Sequence, residues 1–151
     1  FFGGGTPTIL EGYQLAAILE TVKKYFHLVA DAEITVECNP GTLTAGKAEK
    51  LVQAGFNRLS MGLQSADDRE LQLLGRIHNF AQFLESYDLA RKAGFENINV
   101  DLMSALPGQT LKSWQNTLQK SDSFAPGAYF CIQPDRGGGN AFLGTGPEAS
   151  G

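Results

Sequence analysis

Four short segments of this chain share one pattern, in which an apolar stretch ends in polar residues or glycines. They cover residues 1–7, 34–40, 59–65 and 98–103 and recur at the interval expected of strand–helix units. Successive side chains of a β-strand point to opposite sides, and the last three segments divide cleanly on that period of two. The pattern predicts a sheet with one apolar and one polar face.

The two faces of this predicted sheet must meet different surroundings. The apolar face consists of Ile34, Val36, Cys38, Leu59, Met61, Leu63, Ile98, Val100 and Leu102. The polar face consists of Thr35, Glu37, Ser60, Gly62, Gln64, Asn99 and Asp101. Because helix-forming sequence lies between the strands, we expect helices to cover the apolar face and the polar face to line a cavity that contains the functional residues.

Alternation of strands with helices predicts an α/β fold with a parallel sheet and right-handed crossovers. A doubly wound sheet is covered on both faces, so its strands are apolar throughout, which these strands are not. An antiparallel sheet with one solvated face is disfavoured by the helix between each pair of strands. The sequence therefore favours a barrel whose lumen holds a polar ligand.

Capping residues and glycines predict where the helices begin and end. Thr44 is a typical N-cap and Gly55 a typical residue after a helix, so a helix is expected between them. Asn79 with Gln82 three positions later resembles a capping box, which predicts a helix that ends at Gly94. The other predicted elements are an acidic helix over 67–74, a helix over 110–123 and a strand over 129–132.

Apolar stripes and a repeat predict how these helices pack. The first helix is expected to bury a stripe made of Leu15, Ile18, Leu19, Val22 and Phe26. The last helix is expected to turn inward Leu111, Trp114 and Leu118. Residues 53–60 and 92–99 share the same order of helix end, glycine, phenylalanine and strand start, which predicts stacked strand–helix units.

Composition excludes several classes of protein. The net charge is −4 and the pI is near 5.1, which disfavours a surface that binds nucleic acid or anionic membrane. No apolar run approaches the roughly 20 residues of a membrane span. The two cysteines, Cys38 and Cys131, form no disulfide framework or metal-binding pair, which favours a reducing cytoplasm.

Both ends of the chain suggest a piece of a longer protein. The first residue is Phe1 rather than Met, and it lies inside a predicted strand, so we expect a barrel that is truncated at both ends. Residues 1–135 are interpreted as the partial barrel core. Residues 136–151 are rich in glycine and have no apolar period, which predicts an irregular tail.

Two carboxylates are predicted to face the lumen, where ligands of parallel barrels bind at the carboxyl ends of the strands. Glu37 and Asp101 occupy the same position in different repeats. A carboxylate in such a place is costly unless it is paired or faces water, so each is either part of a structural salt bridge or a ligand-binding group. Gln64 follows on the same face and can both donate and accept hydrogen bonds.

Glycines and an arginine complete the predicted site. The run from Gly3 to Gly5, followed by Thr6, lets the backbone approach a ligand closely. Arg76 lies in the break between two helices, where it is either an ordinary surface arginine or a bidentate partner for a carboxylate. Together these groups suit the hydroxyl, ammonium and carboxylate groups of an amino-acid nucleoside.

Five motifs carry a family resemblance. In chain order they are FFGGGTP, ITVECNPGT, RLSMGLQS, LGRIHN and NINVDLMSALPGQT. Their order and spacing resemble the radical S-adenosylmethionine (SAM) family over roughly residues 1–123. The most similar branch contains oxygen-independent coproporphyrinogen III oxidase and the heme chaperone HemW, and the GLQS, GRIH and LPGQT motifs are more similar to HemW.

The resemblance implies a partial (β/α)₆ TIM-like barrel that holds SAM in its lumen. By motif it assigns SAM contacts to Gly4, Gly5, Thr6, Glu37, Gln64, Arg76 and Asp101, and it assigns no catalytic residue. In this family a [4Fe-4S] cluster transfers an electron to the SAM sulfonium, and the resulting 5′-deoxyadenosyl radical abstracts hydrogen. The implied activity is that of an oxidoreductase, with porphyrin or heme and an electron-donor protein as partners.

One family element is missing from this sequence. The family binds its cluster through a CxxxCxxC loop, which is absent here, and Cys38 is expected in the core. No metal site is therefore predicted, and the chain alone is expected to lack radical activity. Three functions stay open at this stage: a coproporphyrinogen III oxidoreductase, a chaperone that binds heme without porphyrin turnover, and an unrelated barrel enzyme.

Overall fold

A computed structural model describes residues 1–123 and 129–132. A short 3₁₀ turn at Pro7–Ile9 precedes the regular elements. The helices are α1 (Gly12–Tyr25), α2 (Ala45–Ala54), α3 (Asp68–Leu73), α4 (Phe80–Ala93) and α5 (Leu111–Asp122). The strands are β1 (Thr35–Cys38), β2 (Arg58–Gln64), β3 (Asn97–Met103) and β4 (Tyr129–Ile132). The predicted tail over 136–151 lies outside the described residues.

The four strands form one parallel sheet in the order β1-β2-β3-β4. Neighbours in the sheet are thus neighbours along the chain, as in the wall of a barrel, whereas a doubly wound sheet reverses its order at a switch point. The strand predicted near residue 1 is a single parallel bridge between Phe2 and Val36. In this bridge the Phe2 amide donates to the Thr35 carbonyl oxygen at 2.8 Å, and the Glu37 amide donates to the Phe2 carbonyl oxygen at 2.9 Å.

The apolar face of the sheet is the core of the molecule, as the sequence predicts. Val36, Leu59, Met61, Leu63, Val100 and Leu102 are each 0% exposed. Helices α2 and α4 pack over this face with Ala48, Leu51, Phe83 and Ala90. The predicted assignment of Cys38 to this face is confirmed, because its side chain is 4% exposed.

The predicted repeat is confirmed in detail at the ends of α2 and α4. Both helices end at a glycine in the left-handed region, Gly55 with φ 102° and Gly94 with φ 105°. The residue after each glycine, Phe56 or Phe95, donates its amide to a carbonyl of the last helical turn at 3.1 Å. Each phenylalanine is only 2% exposed, so it anchors its helix to the strand that follows.

The stripe predicted for α1 is only partly buried. Leu15 and Leu19 are each 1% exposed, but Ile18 is 44% exposed and Phe26 is 66% exposed. Phe26 lies at the C-cap, where the backbone leaves the helical path. Within the described residues, no helix has the length and apolarity to cross a membrane.

The prediction for α5 is wrong at its first position. Trp114 and Leu118 pack partly buried against the core, as expected. Leu111 is 73% exposed, and the fully buried positions of the helix are instead polar, at Thr117 and Ser121. The reason is that α5 covers polar groups at the end of β2, which need hydrogen-bond partners rather than apolar ones.

Replacing Gly94 by Ala tests the helix end that the repeat shares. The new methyl group would meet only Val52 Cγ1, at 3.7 Å, so it has room, and the cost comes from the positive φ of 105°. We expect the free energy of unfolding in urea to fall by about 1–2 kcal/mol. Gly46→Ala is the matched control, since Gly46 is inside α2 with nothing within 4 Å, and it should raise stability by about 0.5–1 kcal/mol. Equal unfolding midpoints for Gly94→Ala and wild type would contradict this account.

Candidate functional site

Polar residues from consecutive strands surround one cavity of about 210 Å³ at the carboxyl ends of the strands. Its lining consists of Gly5, Thr6, Glu37, Cys38, Asn39, Ser60, Gly62, Gln64, Arg76 and Asp101. Six of the seven residues predicted from the sequence are therefore brought together. The seventh, Gly4, lines a second cavity of about 510 Å³, which adjoins the first because Gly5 and Thr6 line both.

Strand register explains why these side chains meet. Glu37 pairs with Ser60, and Ser60 pairs with Asn99, so the three form one row across the sheet. Gly62 pairs with Asp101 in the next row towards the carboxyl end, so the prediction that Asp101 occupies the same position as Glu37 is wrong by one row. Because paired residues of a parallel sheet point to the same side, both rows face the lumen.

Asp101 lies at the centre of a hydrogen-bond cluster at the base of the cavity. The Ser60 hydroxyl donates to it at 3.1 Å, and the Asn99 amide donates to it at 2.6 Å. Burial raises the pKa of the Asp101 carboxyl to about 6, with a further upward push from the charge of Glu37, although the bonds from Ser60 and Asn99 act in the opposite direction. The group is thus held where both protonation states are accessible near neutral pH.

Glu37 and Arg76 both line this cavity, but they do not form an ion pair with each other. Neither Glu37 nor Asp101 is among the ion pairs found in the described part of the chain, so the salt-bridge interpretation is not supported. Gly3 packs directly over the carboxylate, and a Cβ there would lie 2.8 Å from Glu37 Cδ. Two carboxylates that share one cavity repel each other and favour a ligand with hydroxyl donors or a positive charge.

Gln64 lies at the end of β2 in an unusual conformation. Its φ is 71°, in the left-handed region that only glycine adopts without cost, and the register slips between Gly62 and Gln64. Such a conformation costs on the order of 1–3 kcal/mol and is found at functional sites. The side chain is 6% exposed, and its Oε1 has no hydrogen-bond partner among the described residues. A Cβ on Gly62 would lie 2.7 Å from Gln64 Nε2. The side-chain amide of Gln64 can therefore occupy this position only because residue 62 has no side chain.

Asn39 and His78 also belong to this region, although neither is among the seven predicted site residues. Asn39 lines the cavity directly, and the ring Nδ1 of His78 lies 3.1 Å from Asn39 Oδ1. Burial lowers the pKa of His78, which is 4% exposed, so the ring is neutral at physiological pH. The position of Asn39 directly after β1, at the carboxyl end of a strand, was the signal that could have identified it.

The cysteines do not fit an iron–sulfur cluster. Such clusters are held by several thiolates, and the sequence has only Cys38 and Cys131. Burial raises the pKa of Cys38 to about 11, which keeps it a thiol. Among the residues that the structure describes, no group of three metal-ligating side chains is found.

Comparison with known proteins agrees with this geometry. Residues 1–120 match the radical SAM superfamily, and the chain belongs to that superfamily. It is 41% identical over 126 residues to the heme chaperone HemW of Haemophilus influenzae, a match that covers 83% of this chain and 33% of that protein. It is 40% identical over 125 residues to the oxygen-independent coproporphyrinogen III oxidase of Bradyrhizobium diazoefficiens, a match that covers 83% of this chain and 28% of that protein.

A solved structure shows the same fold. The coproporphyrinogen III oxidase of Escherichia coli, described as a radical SAM enzyme, superimposes with a TM-score of 0.79 at 33% identity, over 87% of this chain and 30% of that one. The predicted α/β fold of a partial TIM-like barrel is thereby confirmed, as is the resemblance to this branch. The chain spans about a third of the length of these relatives.

The raised pKa of Asp101 predicts a pH dependence of stability. Because its folded-state value of about 6 lies above the ordinary 3.8, the folded protein keeps a proton that the unfolded chain releases. The contribution of the protonated Asp101 to the free energy of unfolding is therefore present below about pH 4 and is lost as the pH rises through 6. We expect the difference in the free energy of unfolding, wild type minus Asp101→Asn, to decrease between about pH 4 and 7. The decrease should be on the order of 2 kcal/mol.

The matched control for this measurement is Asp88→Asn, at an exposed position of α4. Its stability relative to wild type should not change over the same pH range. A difference between wild type and Asp101→Asn that is also independent of pH would show that Asp101 has an ordinary pKa.

Proposed function

We propose that the cavity between β1, β2 and β3 binds SAM. The observation that carries this proposal is that two carboxylates and a buried amide oxygen face one cavity, where the carboxylates form no ion pair with a described residue and the amide oxygen has no donor among those residues. A positive charge or a further hydrogen-bond donor would stabilise each of these groups. The ribose hydroxyls, the ammonium group and the sulfonium of SAM provide these.

Each side chain has a distinct part in the proposed complex. Glu37 and Asp101 accept hydrogen bonds from hydroxyl or ammonium groups, and Gln64 accepts one at Oε1. Arg76 lines the same cavity and holds the carboxylate of the methionine part. Gly4 and Gly5, where an added Cβ would meet nothing within 4 Å, and the neighbouring Thr6 offer backbone groups to the ligand. Bound SAM would supply the sulfonium chemistry of the superfamily, whereas this chain's residues bind it and orient it.

The protein as a whole is proposed to act in heme or porphyrin metabolism, most closely like HemW. Support comes from the 41% identity to a heme chaperone, although the match covers 33% of that relative. The second candidate is coproporphyrinogen III oxidation, which a 40% identical relative and the structure with a TM-score of 0.79 favour. We propose residues 1–135 as the barrel part of this protein, cytoplasmic in location and partnered by porphyrin or heme and an electron-donor protein.

Removing a cavity carboxylate tests the binding proposal. Titration of SAM into the full-length gene product by calorimetry should give a measurable affinity, which Glu37→Ala and Asp101→Ala each weaken by about 1–3 kcal/mol, or roughly 5- to 150-fold. Glu85→Ala, at an exposed position of α4, is the control and should bind like wild type. Wild-type affinity in both cavity variants would remove these carboxylates from the site.

A second experiment separates the two candidate functions. The full-length gene product is incubated anaerobically with SAM, reductant and coproporphyrinogen III, and separately with heme and an apo-hemoprotein. The HemW-like proposal predicts transfer of heme to the acceptor with no porphyrin product. Accumulation of protoporphyrinogen IX without heme transfer would instead establish the oxidoreductase.

A further inference from the structure

Gln64 has an unfavourable backbone conformation and an unpaired side-chain oxygen among the described residues, so neighbouring residues must stabilise both features. The Ser65 amide donates to the Leu63 carbonyl oxygen at 2.9 Å, which closes a tight turn around Gln64. This turn keeps φ at 71° and leaves Gln64 Oε1 buried, with no donor in the part of the chain that the structure describes. A free chain would relax both features, so the structure around the turn must maintain them.

Glu70 is a buried carboxylate that the proposed SAM site does not use. It belongs to α3 and is 6% exposed. The Ser65 hydroxyl donates to its Oε2 at 2.5 Å, and the Gln109 amide donates to the same oxygen at 3.0 Å. The Ser113 hydroxyl donates to Oε1 at 2.7 Å. Three donors from three different parts of the chain therefore converge on one carboxylate.

The contacts of Ser65 fix the end of β2 to α5. Its hydroxyl oxygen accepts a hydrogen bond from the Asp67 amide at 3.0 Å and lies 3.4 Å from the Thr117 hydroxyl. Thr117 in turn accepts from the Ala66 amide at 3.1 Å. Ser65 and Thr117 are both 0% exposed, so water does not compete for these bonds.

We propose that Glu70 is a positioning residue: by holding the Ser65 hydroxyl, it locks the turn that directs Gln64 into the cavity. This inference rests on the proposed binding of SAM there. Glu70 is not itself in the cavity lining, so its effect on the ligand passes through Gln64. The same carboxylate ties the loop after β3, through Gln109, to the loop after β2, so both loops keep one arrangement at the mouth of the lumen.

A double-mutant cycle distinguishes positioning from a general structural role. SAM affinity is measured by calorimetry for wild type, Gln64→Ala, Glu70→Ala and the double variant of the full-length gene product. We expect each single variant to bind about tenfold more weakly, as for the loss of one hydrogen bond to a charged ligand. Because Glu70 acts through Gln64, replacing Gln64 by Ala should weaken SAM affinity by less than about twofold when Glu70 has already been replaced by Ala.

The outcomes are separable. If wild type does not bind SAM, the proposed function fails. If wild type binds SAM and Glu70→Ala binds it equally well, the positioning role is overturned. The same follows if Gln64→Ala lowers SAM affinity by the same factor with and without Glu70. Ser65→Ala, which removes only the hydroxyl, gives the same test should Glu70→Ala not fold. Phe95→Leu is the control for destabilisation, since Phe95 lies in the core before β3; it should lower the melting temperature and leave SAM affinity unchanged.

Discussion

The parallel pairing of β1, β2 and β3, with an apolar face packed beneath helices, is the constraint on which the site depends. Once Val36, Met61 and Val100 are buried against α2 and α4, the period of two leaves the alternate side chains no place except the lumen. A slip of one residue in β1, β2 or β3 would exchange core residues for polar or charged ones, so the apolar core fixes the geometry of the polar cavity.

This arrangement carries an electrostatic cost that a ligand can relieve. Asp101 and Glu37 lie in one lumen and form no ion pair with a described residue, and the pKa of Asp101 is raised by burial and, to a smaller extent, by the charge of Glu37. Burying carboxylates without partners is unfavourable. A cationic, hydroxyl-rich ligand would relieve this cost, which is the physical basis of the proposed SAM site.

The sequence predicts much of this because periodicity and capping are local signals. It identifies both faces of the sheet, the glycine helix ends and six residues of the cavity lining. It misplaces Leu111 because burial on α5 depends on a polar network that involves Glu70, which no period reveals. It does not find the pairing of Asn39 with His78, because these residues are distant in sequence and meet only through the fold. Long-range polar contacts are the part that sequence patterns do not encode.

A crystal structure of the full-length gene product with bound SAM is the decisive measurement for the proposed site. We expect SAM in the lumen between β1 and β3, with a hydroxyl or ammonium group within hydrogen-bond distance of Glu37 and a donor on the Oε1 of Gln64. SAM bound at another face, with that oxygen still lacking a partner, would contradict this expectation.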